Sequence, residues 1–313
     1  MKKETVQKLK KCIAEVLPTT TKTCIWILKL TVGVSFAMML LKYFNILPYI
    51  SDFVNPVFRY FGLPGDAALA FVSGYFVNVY SAIAVMATIE MDVRSITILS
   101  TMVLCAHSMI LETAVLKKTG TNAVRMVINR TLGALALGFV LNLVLPGASV
   151  GAPSVDPHFG VSGPFLPVLG AWALNTLKLC LTMIVIIYTL NILQRILTEF
   201  GIVRVISRFL KPVMLFFGLP ENTAFLWIIA NIVGLGYGAA AMLDELARGE
   251  ISSSDVDYLD THICVSHSNF EDLLLLSACG AVWWILLLFR WALSFVLVWE
   301  LRLENYLFRR NKE

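Results

Sequence analysis

The chain has 313 residues, 58% of them hydrophobic and only 15% charged, with a mean hydropathy of +0.77. A soluble domain of this size carries about 25% charged residues, and several apolar runs exceed the roughly 20 residues a helix needs to cross hydrocarbon, so a soluble protein is excluded. The net charge of +4 collects near the two ends, in Lys2, Lys3, Lys8, Lys10 and Lys11 and again in Arg302, Arg309, Arg310 and Lys312; flanking apolar spans, these read as cytoplasmic ends rather than nucleic-acid arms.

In chain order, residues 1–22 form a basic cytoplasmic segment, followed by a first spanning helix over 23–47. That run is too long for a signal h-region and lacks a small-residue cleavage site, so no cleaved signal peptide is expected. A short stretch at 48–61 mixes aromatic, aliphatic and charged residues and reads as an interfacial helix. It ends in Phe61-Gly62-Leu63-Pro64, which breaks the chain before it re-enters the bilayer. Two irregular membrane stretches follow, 65–90 and 95–116, and then a span over 123–145. A loop without Lys or Arg, 147–163, joins this half to a second of the same plan: a span at 165–197, an interfacial stretch at 201–217, irregular stretches at 221–246 and 258–279, and a span at 282–303. The irregular stretches carry Gly, Asn, Ser, His and acids, which lipid-facing helices avoid. The domain reading is therefore 1–22 cytoplasmic, 23–147 repeat one, 148–164 external linker, 165–303 repeat two, and 304–313 a basic cytoplasmic tail.

The halves are related in sequence. At an offset of 156 residues, Phe61-Gly62-Leu63-Pro64 falls on Phe217-Gly218-Leu219-Pro220, Pro56 on Pro212 and Met86 on Met242. An insertion near 247–250 moves the offset to 160, where His107-Ser108 falls on His267-Ser268, Glu112 on Asp272, Gly120 on Gly280 and Arg130 on Arg290. Loop charge sets orientation. A basic N-terminus starts the first span inside, Lys117, Lys118 and Arg125 place the middle of half one inside, and Arg204, Arg208 and Lys211 return to the cytoplasm. The first helices of the two halves then run oppositely, so each half crosses an odd number of times. One of its four membrane segments must be re-entrant, with 65–90 and 221–246 the candidates. The fold expected is an all-α polytopic membrane protein of two inverted repeats.

The chemistry concentrates in His107, Ser108 and Glu112 and in His267, Ser268, Glu271 and Asp272. On an unbroken helix Glu271 shares a face with His267, whereas Glu112 lies off the face of His107. Inverted repeats place substrate and coupling-ion sites near the midplane, where two imidazoles and two carboxylates suit a divalent metal (His107, His267, Glu112 and Asp272) or proton transfer. The competing reading is that these groups tie broken helices together. Arg130 and Arg290 suit an anion or a buried pair with Glu112 and Asp272. Asn78 and Asn231 sit in Gly/Asn/Tyr-rich stretches whose unwound backbone can face a ligand. Asp66 and Asn222 read as N-caps. Six cysteines without a CxxC pair indicate no disulfide framework. No Walker A, dinucleotide or HExxH motif occurs, and no nucleophile–base–orienter set can be read, so neither an enzyme nor a cofactor is expected.

The FGLP pattern at 61–64 and 217–220, the Gly/Asn/Tyr-rich stretch after it and the following His-Ser together resemble the nucleoside-recognition, or Gate, domain family. Relatives of that family include the membrane region of bacterial ferrous-iron transporters, the spore maturation proteins A and B, and more distantly the concentrative nucleoside transporters. The resemblance covers about 23–303 and implies inverted repeats around a transport-like core. The chain departs from the iron transporters in having no GTPase domain, which sets it apart from iron uptake, and it matches no nucleoside site residue for residue. The expectation is a bacterial inner-membrane protein with both termini cytoplasmic, moving a small solute or ion. Its other partners would be the lipid bilayer and a further copy of itself, with no nucleic acid; the alternative is a non-transporting subunit or scaffold.

Overall fold

The structure, a computed structural model, describes residues 2–44, 46, 53, 56–147 and 164–310, with the side chains of 2–6 and 308–310 left aside. The described residues are helices joined by turns, without strands. In half one these are α1 (Lys2–Tyr43), a 3-10 turn Arg59–Phe61, α2 (Ala67–Phe76), α3 (Val79–Met86), α4 (Val93–Ala106), α5 (Met109–Lys118) and α6 (Ala123–Val144). Half two has α7 (Phe165–Glu199), α8 (Ile202–Phe216), a 3-10 turn Glu221–Thr223, α9 (Ala224–Ile228) with a π-turn Ile229–Val233, α10 (Leu235–Ala247), α11 (Ser253–Ser266), α12 (Asp272–Ala278) and α13 (Trp283–Arg310). Among the described residues, five stretches are long and apolar enough to cross a membrane: Gln7–Tyr43, Val93–Lys118, Ala123–Val144, Phe165–Glu199 and Trp283–Leu307.

Several sequence expectations shift. The basic segment 1–22 is not separate, because α1 runs from Lys2 through it and ends at Tyr43. Half of the expected interfacial stretch 48–61, and all of the linker 148–164 except Pro164, lie outside the described residues. Asn222 does not cap a helix: it sits inside a 3-10 turn and donates from Nδ2 to the Glu250 carbonyl at 3.2 Å. Asp66 does occupy the N-cap position of α2. The side-chain caps are Asn78, Asp92, Asn122 and Ser252, whose oxygens accept from the first-turn amides of α3, α4, α6 and α11.

Packing follows the same plan in both halves. α4 lies along α6 and α11 along α13, while α1 and α7, the first helices of the two halves, pack on one another. The core is formed where α4 and α11 meet, with each also touching the last helix of the other half. The FGLP turns are alike: Gly62 and Gly218 have φ +65° and +73°, and Leu63 and Leu219 donate back to the Phe58 and Met214 carbonyls. Glycine is required at 62 on two counts. L side chains rarely adopt that φ, and a Cβ would lie 2.1 Å from Asn142 Oδ1. Asn142 donates to the Tyr60 carbonyl in half one; at the matching place in half two, Arg302 Nε donates to the Gly218 carbonyl.

Candidate functional site

Two helices stop where the sequence pairs His with Ser. α4 ends at Ala106 and α11 at Ser266; His107 and His267 turn extended, with ψ 160° and 175°. Ser108 and Ser268 then adopt φ +48° and +54°, the two non-glycine positive φ values among the described residues. A left-handed conformation costs an ordinary residue about 1–2 kcal/mol, so tertiary contacts must hold it. Ser108 N donates to the Gly74 carbonyl at 2.9 Å and Ser268 N to the Ala230 carbonyl at 3.5 Å. Each break therefore leans on the α2–α3 or α9–α10 pair of its own half. Unlike lipid-facing backbone, these freed groups lie inside protein, where they can be satisfied.

A buried arginine closes each break. Arg130 on α6 donates from Nε to the Cys105 carbonyl at 3.0 Å and from an Nη to the His107 carbonyl at 2.6 Å. Arg290 on α13 repeats this with Val265 at 2.7 Å and His267 at 2.6 Å. Both guanidiniums are fully buried. They differ in the remaining contact: Arg130 binds Glu112 Oε2 at 2.5 Å, whereas Arg290 binds Asn269 Oδ1 at 3.1 Å.

The breaks face each other. The imidazole centroids of His107 and His267 are 5.1 Å apart. His107 Nε2 stands 3.1 Å from Glu112 Oε1 and 3.3 Å from Asp272 Oδ2. His267 Nε2 stands 3.2 Å from the same Glu112 Oε1, without hydrogen-bond geometry, and has no other partner. On the far side of each ring, Nδ1 meets carbonyls of its own helix: Val103 and Leu104 at 3.2 Å for His107, and Ile263 at 2.8 Å for His267. A carbonyl only accepts, so Nδ1 of each ring carries a proton and each Nε2 faces the cluster.

The structure thus brings His107, Glu112, His267 and Asp272 together, with Arg130 on the outer oxygen of Glu112. Three other site residues expected from sequence go elsewhere. Glu271 does not join His267, because the helix on which they would share a face is broken; its Oε1 accepts from the Tyr80 hydroxyl at 2.5 Å. Arg290 does not pair with Asp272, because Asn269 intervenes. Asn78 spends its side-chain oxygen capping α3, accepting from Ser81. Asn231 is linked indirectly, donating to the Trp227 carbonyl and accepting from Asn269 Nδ2 at 2.6 Å. Ser108 and Ser268 supply the backbone turn.

Sequence reasoning missed Tyr80 and Asn269, though both lie beside residues it selected. It also missed two buried groups. Asp260 Oδ2 accepts from Thr119 at the end of α5 and from Thr121 just beyond, the latter at 2.5 Å. His262 is wedged between Trp227, Ser266 and Ser294, with both ring nitrogens occupied, and acts as a tie. Neither matches a like residue in the other half, so the repeat gave no signal.

A cavity of about 210 Å³ lies between α3, α4, α7 and α12, lined by Met86, Asn175, Lys178, Thr182 and Cys279 among others. It is separate from the histidine cluster. The cluster's own edges are half-buried in both halves, at Glu112 in half one and at Ser268, Asn269, Phe270, Glu271 and the neighbouring Ile232, Val233 and Gly234 in half two.

Residues 24–122 match a family model, Gate, described as nucleoside recognition. Over 270 residues the chain is 27% identical to YvoD of Bacillus subtilis (strain 168), described as an uncharacterized membrane protein, a match covering 84% of this chain and 85% of that one. With its apolar helices and that match, the chain is an all-helical integral membrane protein in which residues 24–122 are similar to the Gate, or nucleoside-recognition, domain.

Proposed function

We propose that this protein is a transporter, moving a small solute or ion across the bacterial cytoplasmic membrane through a midplane site between two inverted repeats. The observation that carries the reading is the convergence of His107 and Glu112 from one half with His267 and Asp272 from the other, each set at a helix break. Ionisable groups are costly at membrane depth, and discontinuous helices meeting there are how inverted-repeat transporters bind their cargo.

Two contacts support inversion. Thr97, near the start of α4, accepts from Val282 N, just past the end of α12. Asp260 of α11 accepts from Thr119 and Thr121, at and just past the end of α5. The α4–α5 segment thus runs against the α11–α12 segment. Counting both with α1, α6, α7 and α13 gives three crossings per half, an odd number, with both ends cytoplasmic as the basic termini require. The pairs α2–α3 and α9–α10 then enter and leave on one side.

The scaffold reading is favoured by the arginines, whose guanidiniums bond to backbone carbonyls and so hold the breaks closed. The two readings separate in proteoliposomes screened against a panel of labelled ions and small solutes. Transport predicts flux that His107→Ala and His267→Ala reduce at least tenfold while the purified variants keep their melting temperature. A scaffold predicts variants that melt earlier, and flux that was never present.

A further inference from the structure

Resting on that transport reading, we infer that the cluster is a binding site for a divalent first-row transition-metal cation, held by His107 Nε2, His267 Nε2 and Glu112 Oε1, with Asp272 Oδ2 beside His107. The cargo class then follows from donor chemistry, since imidazole with carboxylate suits ions of the zinc, cobalt, copper and iron type rather than magnesium or calcium, which prefer all-oxygen sites.

Both rings carry a proton on Nδ1, against carbonyls of α4 and α11. Their Nε2 atoms therefore face carboxylate oxygens at 3.1, 3.2 and 3.3 Å. Two carboxylate oxygens and two ring nitrogens gathered this closely call for positive charge among them. Arg130 does not supply it there: its contact is on the opposite oxygen, Glu112 Oε2. His267 Nε2 is buried and lacks a hydrogen-bond partner, as a ligand atom would in the absence of its ion.

Geometry agrees. Ligands about 2.0–2.1 Å from a tetrahedral ion lie about 3.3–3.4 Å from each other, close to the 3.1 and 3.2 Å between Glu112 Oε1 and the two ring nitrogens. One donor atom each from His107, Glu112 and His267 lies within 4.8 Å of the others, a spacing that ring and carboxylate rotation can close. The surroundings also fit: metal-bound histidines commonly give the other ring N–H to a backbone carbonyl, which sets tautomer and orientation. Both rings here do so at the same position of equivalent helices.

The test uses the full chain, purified in detergent and stripped with chelator, with Co2+ and Cu2+ alone as probes. Wild type is expected to bind one Co2+ per chain with tetrahedral d–d absorption, and Cu2+ with pulsed-EPR modulation from the remote nitrogens of two imidazoles. His267→Ala and Glu112→Gln are each expected to weaken binding at least tenfold, while Asp244→Asn, an exposed acid on α10, leaves it unchanged. Should the variants fail to fold, the wild-type imidazole modulation still decides. No bound ion, binding without imidazole coupling, or folded His267→Ala binding like wild type would overturn the inference. If metal fails to bind while histidine-dependent flux of another solute persists, the cargo assignment falls and the transport reading stands; if both fail, both fall.

Discussion

The two halves build the same break in the backbone and fill it with different chemistry. Half one sets a charge there: Arg130 grips Glu112, which in turn faces both histidines. Half two sets amides: Arg290 grips Asn269, which reaches Asn231, leaving Asp272 toward His107 and Glu271 toward Tyr80. Their supporting helix pairs differ too. α3 packs against α1, but its counterpart α10 packs against α5 of the other half rather than α7. The contacts that hold the backbone match between the halves, while the side chains reaching the shared centre differ, so the site is symmetric in frame and asymmetric in charge.

The sharpest way to break this comparison is to remove each arginine. Arg130→Ala leaves Glu112 with a buried oxygen unpaired as well as two carbonyls, and breaking a buried ion pair from one side costs about 3–5 kcal/mol. Arg290→Ala leaves neutral groups, each costing about 1–3 kcal/mol. Thermal unfolding in detergent should rank Arg130→Ala well below Arg290→Ala; the reverse order would mean the halves do not divide charge and amide as described.

A middle-sized effect separates the helix pairs. In Gly74→Ala the new Cβ meets side chains, Ala82 Cβ at 3.0 Å and Val103 Cγ1 at 3.1 Å. In Gly238→Ala it meets Ala230 Cβ at 2.8 Å and the Ala230 backbone at 3.0 Å. Overpacking costs about 1–3 kcal/mol, and backbone yields less than side chain, so Gly238→Ala should melt lower. Because Ala230 also accepts from Ser268 N, Gly238→Ala should in addition expose the second break, seen as faster hydrogen exchange at Ser268 and Asn269.

The smallest contrast lies in the contacts between α4–α5 and α11–α12. Thr121→Val removes a hydroxyl donor from the buried Asp260 carboxylate and should cost about 1.5–3 kcal/mol, within the range for hydrogen bonds to charged groups. Thr97→Val removes only an acceptor for the Val282 amide, for about 0.5–1.5 kcal/mol. Equal melting shifts would argue that Asp260 does not depend on its threonines.

Much of this architecture was legible because repetition filters chance. The offset that aligned His107 with His267 also aligned Gly120 with Gly280, and both glycines have positive φ near 100°. It aligned Arg130 with Arg290, and both clamp the same carbonyl positions. What sequence missed is what the halves do not share. Asn269 replaces an acid as the partner of Arg290 only because the chain breaks at Ser268, which redirects Glu271. Helical-wheel geometry applied through that break gave the wrong neighbour for His267. Tyr80 reaches Glu271 across the two halves, a contact no local pattern encodes. The start of α1 was misjudged because basic residues mark a cytoplasmic end without ending a helix.

The carbonyls that hold the imidazoles belong to the last turn of the helix each histidine terminates. Val103 also accepts the His107 amide, as Ile263 accepts that of His267. Ring orientation and helix length are thus fastened at one point: fraying α4 or α11 by a single turn lets the ring swing and dissolves the donor set. On the proposed reading, affinity at the centre is geared to the winding of two helix ends, and a motion that unwinds either one would discharge a bound ion without any side chain there having to move on its own.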